Sequence, residues 1–213
     1  DSSPDGTGEW VDQRRAGEER LHVLHRPAKS GLATAYVDGM GWGIEAGFSF
    51  LLQMDADGSH RPSDLPKLLA RMGGPDRPDL VIGSRWVRGG KVNGWSAKRV
   101  ALSKAGNYYV RLCLGTPVRD ATAGLRVHRC AFLAAHGVLE RVSTTGFGFQ
   151  VEMTERERSL GAVIREVPIT FDERIAGESK LDSSIFAEEL VMVTKGGLSR
   201  LAQAARSALS VRR

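Results

Sequence analysis

The sequence predicts an α/β fold, a mixed and mainly parallel sheet flanked by helices, and three observations carry that prediction. The runs Phe48 to Met54 and Asp79 to Ser84 have the length and near-continuous hydrophobicity of strands covered on both faces. Between them lies a segment with helical spacing, Leu65, Leu68, Leu69 and Met72 falling at i, i+3, i+4 and i+7. Each apolar run also ends in charge: Asp55 and Asp57 follow the first, and Arg85, Arg88 and Lys91 follow the second. Ligands gather at the carboxyl ends of strands in folds of this class.

Composition sets the bounds. A chain of 213 residues, 41% hydrophobic and 26% charged, fits one large globular domain with a real core. The net charge of +5 comes largely from arginine, much of it in the second half and at the end, and points to an anionic partner. Phosphate groups of a small substrate, anionic lipid and nucleic acid all meet that description. Nucleic acid is the least favoured, because no nucleic-acid module is recognisable and the central site is acidic. Cys113 and Cys130 are too few and too far apart for a metal knuckle or a disulfide framework, so buried reduced thiols are expected. No apolar stretch approaches the ~20 residues of a membrane-spanning helix, and no signal-peptide pattern is present.

The chain opens without Met on a loop, Asp1 to Gly8, whose short hydroxyl, Asp, Pro and Gly residues suit a ribose, base or phosphate as well as a plain turn. A strand upstream of this loop is expected. A short helix over 8–16 and a strand at Leu21 to His25 follow. His22 and His25 lack a third metal-type residue at suitable spacing and read as strand-end residues. The next helix starts after Ser30-Gly31 and runs to about Gly47, with Ala33, Ala35, Gly39, Gly43 and Ala46 permitting close packing on a sheet. Lys29 and the free amides at its start can meet a phosphate or nucleotide.

Asp55 and Asp57 close the apolar run at 48–54. Side chains repeat every two residues along a strand, so both carboxylates can face one hard cation. Asp-x-Asp-Gly also describes a solvated turn. An EF-hand loop fits worse, since the glycine at the sixth loop position is missing and Leu65 and Pro66 stand near where the closing Glu is needed. Ser63 is expected to cap the helix after this stretch. The strand at 79–84 leads into a flexible basic segment, and a helix over 95–114 puts Arg99 and Ser103 four apart on one face. Arg85, Arg99 and Ser103 can thus converge on one phosphate, which suits the forked guanidinium. Taken singly, each also reads as a basic or polar residue on a wet surface.

Asp120 to Arg126 is turn-like and then extended. A helix begins at about Cys130, and another spans 147–160 with Gln150 and Glu152 near its start. Ile164 to Phe171 reads as a strand, with Pro168 marking an edge. Asp172 to Lys180 is a polar loop of the kind that closes over substrates. The segment from Asp182 is expected to be helical, broken at Gly196-Gly197, and then basic and amphipathic. It suits an anionic membrane surface as well as packing on the domain or on a partner helix. The domain reading is 1–181 for a catalytic unit and 182–213 for a C-terminal helical segment.

Taken together, SPDGT, HRPAKSGLATAY, MDADGSH, DLVIGSRWVRGG, the Trp95-led segment with Arg99 and Ser103, DATAGLR, GFGFQVE and EVPITFDERIAGESK resemble the polyprenyl- and dolichyl-phosphate mannosyltransferases of glycosyltransferase family 2, especially the actinobacterial polyprenol-monophosphate mannose synthases. The likeness runs from Asp1 to about Lys180. It implies a GT-A fold, a Rossmann-like sheet that binds a sugar nucleotide with a divalent metal, Mg2+ or Mn2+. It also implies inverting transfer of mannose from GDP-mannose to a polyprenyl phosphate, giving a β-linked product and GDP. By the same resemblance the nucleotide sugar meets Asp1, Ser3, Lys29, Asp55 and Asp57, and Asp55 and Asp57 hold the metal. The acceptor phosphate meets Arg85, Arg99, Ser103, Arg174, Ser179 and Lys180, and Asp57, Arg85, Arg99 and Arg174 carry the catalysis.

The resemblance further implies an enzyme peripheral to the cytoplasmic face of a membrane, with or without a separate anchoring subunit, and no nucleic-acid partner. Two departures stand out. The family's first strand and its nucleotide loop are not in this sequence, so an incomplete donor site is expected. Ser59 stands where some relatives have a metal-contacting Gln. The alternatives are the same chemistry with another donor such as UDP-glucose, and a non-catalytic remnant that binds nucleotide or lipid phosphate.

Overall fold

The computed structural model describes residues 1–144, 146, 148–174, 190–191, 193–198 and 200. The helices are α1 (Thr7–Arg15), α2 (Leu32–Glu45), α3 (Leu65–Met72), α4 (Ala97–Leu114), α5 (Cys130–Ala135) and α6 (Phe149–Ser159). The strands are β1 (Phe50–Gln53), β2 (Leu80–Ser84), β3 (Lys91–Val92), β4 (Arg126–Arg129), β5 (Ile164–Pro168) and β6 (Thr170–Phe171). Residues 190–191, 193–198 and 200 are also helical.

The main sheet has the order β1-β4-β2-β5. β4 runs antiparallel to both neighbours, and β2 and β5 are parallel. Three strands therefore share one direction and send their carboxyl ends to the same rim, with β4 inserted against them. Side-chain alternation on β2 divides the core. Leu80 and Ile82 pack with Val110 and Leu114 of α4 and Val151 of α6, whereas Val81 and Val127 pack with Leu68 and Met72 of α3. Directly opposed residues of neighbouring strands share a face. Leu51, opposite His128 and hence on the side of Leu80, packs with Ala33 and Met40 of α2 and with Phe149 and Met153 of α6. Helices α2, α6 and α4 thus cover one face and α3 the other. Burying each large apolar side chain contributes roughly 1.5–3 kcal/mol relative to exposure.

Several sequence expectations change here. The first acidic strand is shorter than 48–54, and it is not covered on both faces: Phe50 and Leu52 stay 37% exposed on the α3 side. Leu21 to His25 forms no strand. Among the described residues it has no ladder partner, and local propensity cannot substitute for one. Ser63 lies in a short 3-10 turn and makes no cap, and Asp64 precedes α3 instead. Leu69 points outward, 47% exposed. Ser96, by contrast, caps α4 by accepting a hydrogen bond from the Arg99 amide at 3.3 Å.

The expected strand over 164–171 breaks at Ile169, where the chain leaves the main sheet. β6 then pairs in parallel with β3 in a separate two-stranded sheet. The expected break at Gly196-Gly197 is absent, and both residues are helical. A Cβ on Gly196 would lie 2.8 Å from a methyl of Leu114, and one on Gly197 would lie 3.1 Å from Cys113. These glycines let two helices approach closely; they do not end one. What was expected for residues 201–213 lies outside the described residues.

Candidate active site

β1 ends at Gln53, and the chain then loops through Asp55, Asp57 and Gly58, which takes a left-handed φ of 79°, before His60 bridges to Phe171. The Tyr36 hydroxyl of α2 donates to Asp55 Oδ1 at 3.0 Å, and His60 Nε2 lies 3.4 Å from Oδ2. Tyr36 is fixed by stacking on Phe149, ring centres 5.4 Å apart and nearly coplanar. The His60 ring beside it, and then Tyr36 and Arg174, hold the Asp55 carboxyl below the usual range against the opposing effect of burial. Burial first, and Asp55 second, push the Tyr36 phenol well above its ordinary value, so it remains a donor.

Asp57 Oδ1 accepts from the Ser59 amide at 3.0 Å and from the Ser59 hydroxyl. Ser59 therefore orients Asp57, and its hydroxyl is occupied by that task. A Cβ on Gly124 would sit 2.7 Å from Asp55 Oδ2, so the loop before β4 approaches the carboxylate as only glycine allows. The side chains of Asp55 and Asp57 remain 42% and 29% exposed, open to a ligand.

These oxygens fit a divalent cation of the Mg2+ or Mn2+ kind. Among the described residues no group of three or more His, Cys, Asp or Glu side chains could enclose a metal. Hard cations of this type are held by one or two carboxylates, with water and substrate phosphate completing the shell. Two oriented acids facing open space meet that requirement.

Opposite them stands a cationic wall. Arg85, at the end of β2, is 8% exposed, and its Nε and Nη2 donate to the two oxygens of Asp120 at 2.8 and 2.7 Å. Its fork is thus directed at Asp120 and not presented whole to a phosphate. Glu166 of β5 braces that partner, accepting from the Arg119 and Asp120 amides at 2.8 and 3.0 Å. The guanidinium groups of Arg99 and Arg85 flank the same indole, 4.0 and 5.5 Å from the Trp95 ring. Ser103 joins the wall through its backbone: Asn107 Nδ2 donates to the Ser103 carbonyl and to Thr122 Oγ1, which also accepts from Arg85 Nη2, each at 3.0 Å. Arg85, Arg99 and the Ser103 backbone are therefore brought to one wall.

The end of β6 ties this wall to the acidic loop with three consecutive residues. Asp172 accepts from Arg61 Nε and Nη2 at 2.5 and 2.8 Å and from Asn93 Nδ2 at 2.7 Å. Glu173 accepts from Arg99 at 3.0 Å, and Arg174 Nε lies 3.9 Å from Asp57. Arg61, and then Asn93, hold the Asp172 carboxyl down at about 2. Ser179 and Lys180 lie outside the described residues.

On the donor side, Asp1 Oδ1 accepts from Arg26 Nη1 at 2.6 Å, and Arg26 also holds Thr34 at 2.7 Å and Asp38 at 2.9 Å on α2. Helix α2 thus holds Arg26, the anchor of Asp1, through Thr34 and Asp38, and carries between those two Tyr36, the orienter of Asp55. Ser3 and Lys29 are exposed beside them. A cleft of 570 Å3 lined by Leu24, His25, Arg26, Asp38, Trp42 and Glu45 opens next to Arg26 and does not include Asp55 or Asp57.

Sequence reasoning missed Tyr36, His60, Trp95, Asp120, Glu173, Arg26 and Arg126. All seven stand inside motifs that carry the resemblance, which is the signal that can find them. Arg126, fully buried, makes four hydrogen bonds, donating to the carbonyls of Ala121, Ala123 and Gln150 and to the Thr154 hydroxyl. It fastens the loop carrying Asp120, Thr122 and Gly124 onto α6. Burial lowers its pKa to about 10, so it remains a cation at neutral pH.

Residues 1–137 match the glycosyl transferase family 2 profile. The chain is 47% identical over 211 residues to an undecaprenyl-phosphate mannosyltransferase of Micrococcus luteus, covering 99% of this chain and 85% of that one. It is 43% identical over 199 residues to the polyprenol monophosphomannose synthase of Mycolicibacterium smegmatis, covering 93% and 74%. Among solved structures it resembles glucosyl-3-phosphoglycerate synthase of Mycobacterium tuberculosis in complex with phosphoglyceric acid, at TM-score 0.57 and 18% identity, covering 93% of this chain and 65% of that one. The same protein in complex with Mn2+, UDP-glucose and phosphoglyceric acid gives TM-score 0.57 and 17% identity over the same shares. The chain spans just under two thirds of that protein, and the likeness shows a shared GT-A fold.

Proposed function

The chain belongs to glycosyl transferase family 2, and from that premise we propose that it moves mannose from GDP-mannose to a polyprenyl monophosphate with inversion, giving polyprenyl β-D-mannosyl phosphate and GDP. The observation that carries the reading is the facing of two oriented carboxylates by a wall of arginines, bridged by Arg174 and Glu173.

The chemistry needs no strong base. A phosphate monoester loses its second proton near pH ~6, so the acceptor oxygen is already anionic at neutral pH. That oxygen attacks the anomeric carbon as the bond from this carbon to the diphosphate oxygen breaks, and the electron pair leaves with GDP. Arg99, Ser103, Arg174, Ser179 and Lys180 hold the acceptor phosphate in line; Arg85 adds positive field from behind and keeps Asp120 in place. Alignment of this kind supplies much of the rate in reactions that require little covalent help. Asp1, Ser3 and Lys29 border the nucleotide. Asp55 and Asp57 would hold a divalent cation, whose contribution when bound is to neutralise charge on the departing diphosphate.

We place the enzyme at the cytoplasmic face of a membrane as a peripheral protein, because its acceptor is a lipid. UDP-glucose is the second donor reading, favoured by the bound sugar nucleotide in the neighbouring fold. Incubating the protein with polyprenyl phosphate and a panel of sugar nucleotides, with and without chelator, decides between them. A mannosyl-phosphate lipid formed only from GDP-mannose and only with divalent cation is expected. A glucosyl lipid supports the second reading, and no lipid product from any donor overturns both.

A further inference from the structure

The surface of the fold that fits its enzymatic role least is the outer side of α4. At roughly 100° per residue, positions 101, 105, 108 and 112 share one side of this helix, opposite the buried Asn107, Val110 and Leu114. An outward helix face in contact with water is normally polar. This one presents Ala101, Ala105, Tyr108 at 66% exposure and Leu112 at 64%, with Leu102 at 55% beside them. The charges along α4 are all of one sign: Lys98, Arg99, Lys104 and Arg111, with no Asp or Glu in eighteen residues.

The helical residues 190–191, 193–198 and 200 extend the same surface. Val193 packs into the core cluster of α4, Tyr109 Oη pairs with Thr194 Oγ1 at 2.7 Å, and Arg200 Nη2 lies 3.5 Å from the Leu112 carbonyl. They add exposed Val191 and Leu198, and exposed Lys195 and Arg200, again without an acid in the stretch 190–200.

We propose that the outer face of α4, with the adjoining residues Val191, Lys195, Leu198 and Arg200, docks on an anionic lipid bilayer. An apolar ridge rimmed by cations and carrying a tyrosine is the pattern of helices that lie in the membrane interface. The inner side of the same helix carries Arg99 and Ser103, the residues assigned to the acceptor phosphate. A prenyl chain held there by its headgroup leaves the protein along α4, and docking this face brings the site to the depth at which the headgroup resides. The inference rests on the lipid-acceptor reading.

The test uses the full chain and sedimentation with vesicles of equal parts phosphatidylcholine and phosphatidylglycerol, beside phosphatidylcholine alone. Wild type is expected to sediment with the anionic vesicles and to be released by salt. Leu102→Asp/Leu112→Asp is expected to lower partitioning by about tenfold or more, as is the charge variant Lys98→Glu/Arg111→Glu. Leu69→Asp, at an exposed leucine on the opposite face of the sheet, leaves it unchanged. With a short, water-soluble prenyl phosphate the Leu double variant turns over like wild type, and with long-chain acceptor in vesicles it loses on the order of tenfold. Vesicle binding equal in wild type and both double variants, or absent in wild type, overturns the proposal. So does a dimer that the Leu variant dissociates without any change in vesicle binding. Failure of wild type to use the short acceptor overturns the lipid-acceptor reading instead, whatever the vesicles show.

Discussion

Tyr36 makes one hydrogen bond that matters to the acidic loop, and Tyr36→Phe isolates it. A hydrogen bond to a charged group is worth about 1.5–3 kcal/mol, so turnover is expected to fall by roughly tenfold to a hundredfold, with a raised divalent-cation requirement and little change in melting temperature. Steady-state rates across a Mn2+ or Mg2+ titration read this out. Gly124→Ala acts on the other side of the same carboxylate. Its Cβ would press on Asp55 Oδ2, and the expected result is lost activity in a protein whose circular dichroism is unchanged. Asp55 and Asp57 were legible because an apolar run stopping at two acids is a local pattern. Tyr36 and Asp120 were not, because each meets its partner, Asp55 or Arg85, across the fold, from 19 and 35 residues away. Arg85 was legible as a candidate site residue but not as the partner of a buried acid.

At the level of elements, β2 was read correctly because every one of its residues is buried and hydrophobicity alone defines it. Gly83 shows how tightly it is covered: a Cβ there would meet Ile169 at 3.0 Å and Leu125 at 3.2 Å. Gly83→Ala is therefore expected to destabilise the fold by about 1–3 kcal/mol through overpacking, as measured by urea unfolding. Helices α2, α4 and α6 were legible from spacing and boundaries. The failures are elements whose identity depends on a neighbour. Leu21 to His25 has strand-like composition without a ladder. Gly196-Gly197 has the composition of a helix break but occupies a helix crossing at Leu114 and Cys113, where small residues are needed for contact.

For the molecule as a whole, the second sheet decides how the two halves of the site are held together. Carrying the chain off β5 into β6 delivers Asp172, Glu173 and Arg174 to Arg61, Arg99 and Asp57 in turn. No local signal reports this, since the contacts span from 74 to 117 residues of sequence. The Asp172 clasp has a pH signature. Its carboxyl is held at about 2 in the fold against roughly 3.9 in an unfolded chain. A lowered acid favours folding above the unfolded value, and the contribution disappears as pH falls through the folded one. The melting-temperature gap between wild type and Asp172→Asn is therefore expected to be full at pH ~5 and to close between about pH 4 and 2.

The central claim is a division of labour across one gap, cation and sugar nucleotide on the acid side, acceptor phosphate on the arginine side. It is tested most directly by measuring GDP-mannose binding with and without divalent cation, together with acceptor KM, in Asp57→Asn and Arg99→Ala. The account predicts that Asp57→Asn abolishes cation-dependent donor binding, while Arg99→Ala binds donor normally and raises acceptor KM by about tenfold or more. Donor binding that persists with cation in Asp57→Asn, or an acceptor KM unmoved by Arg99→Ala, would contradict it.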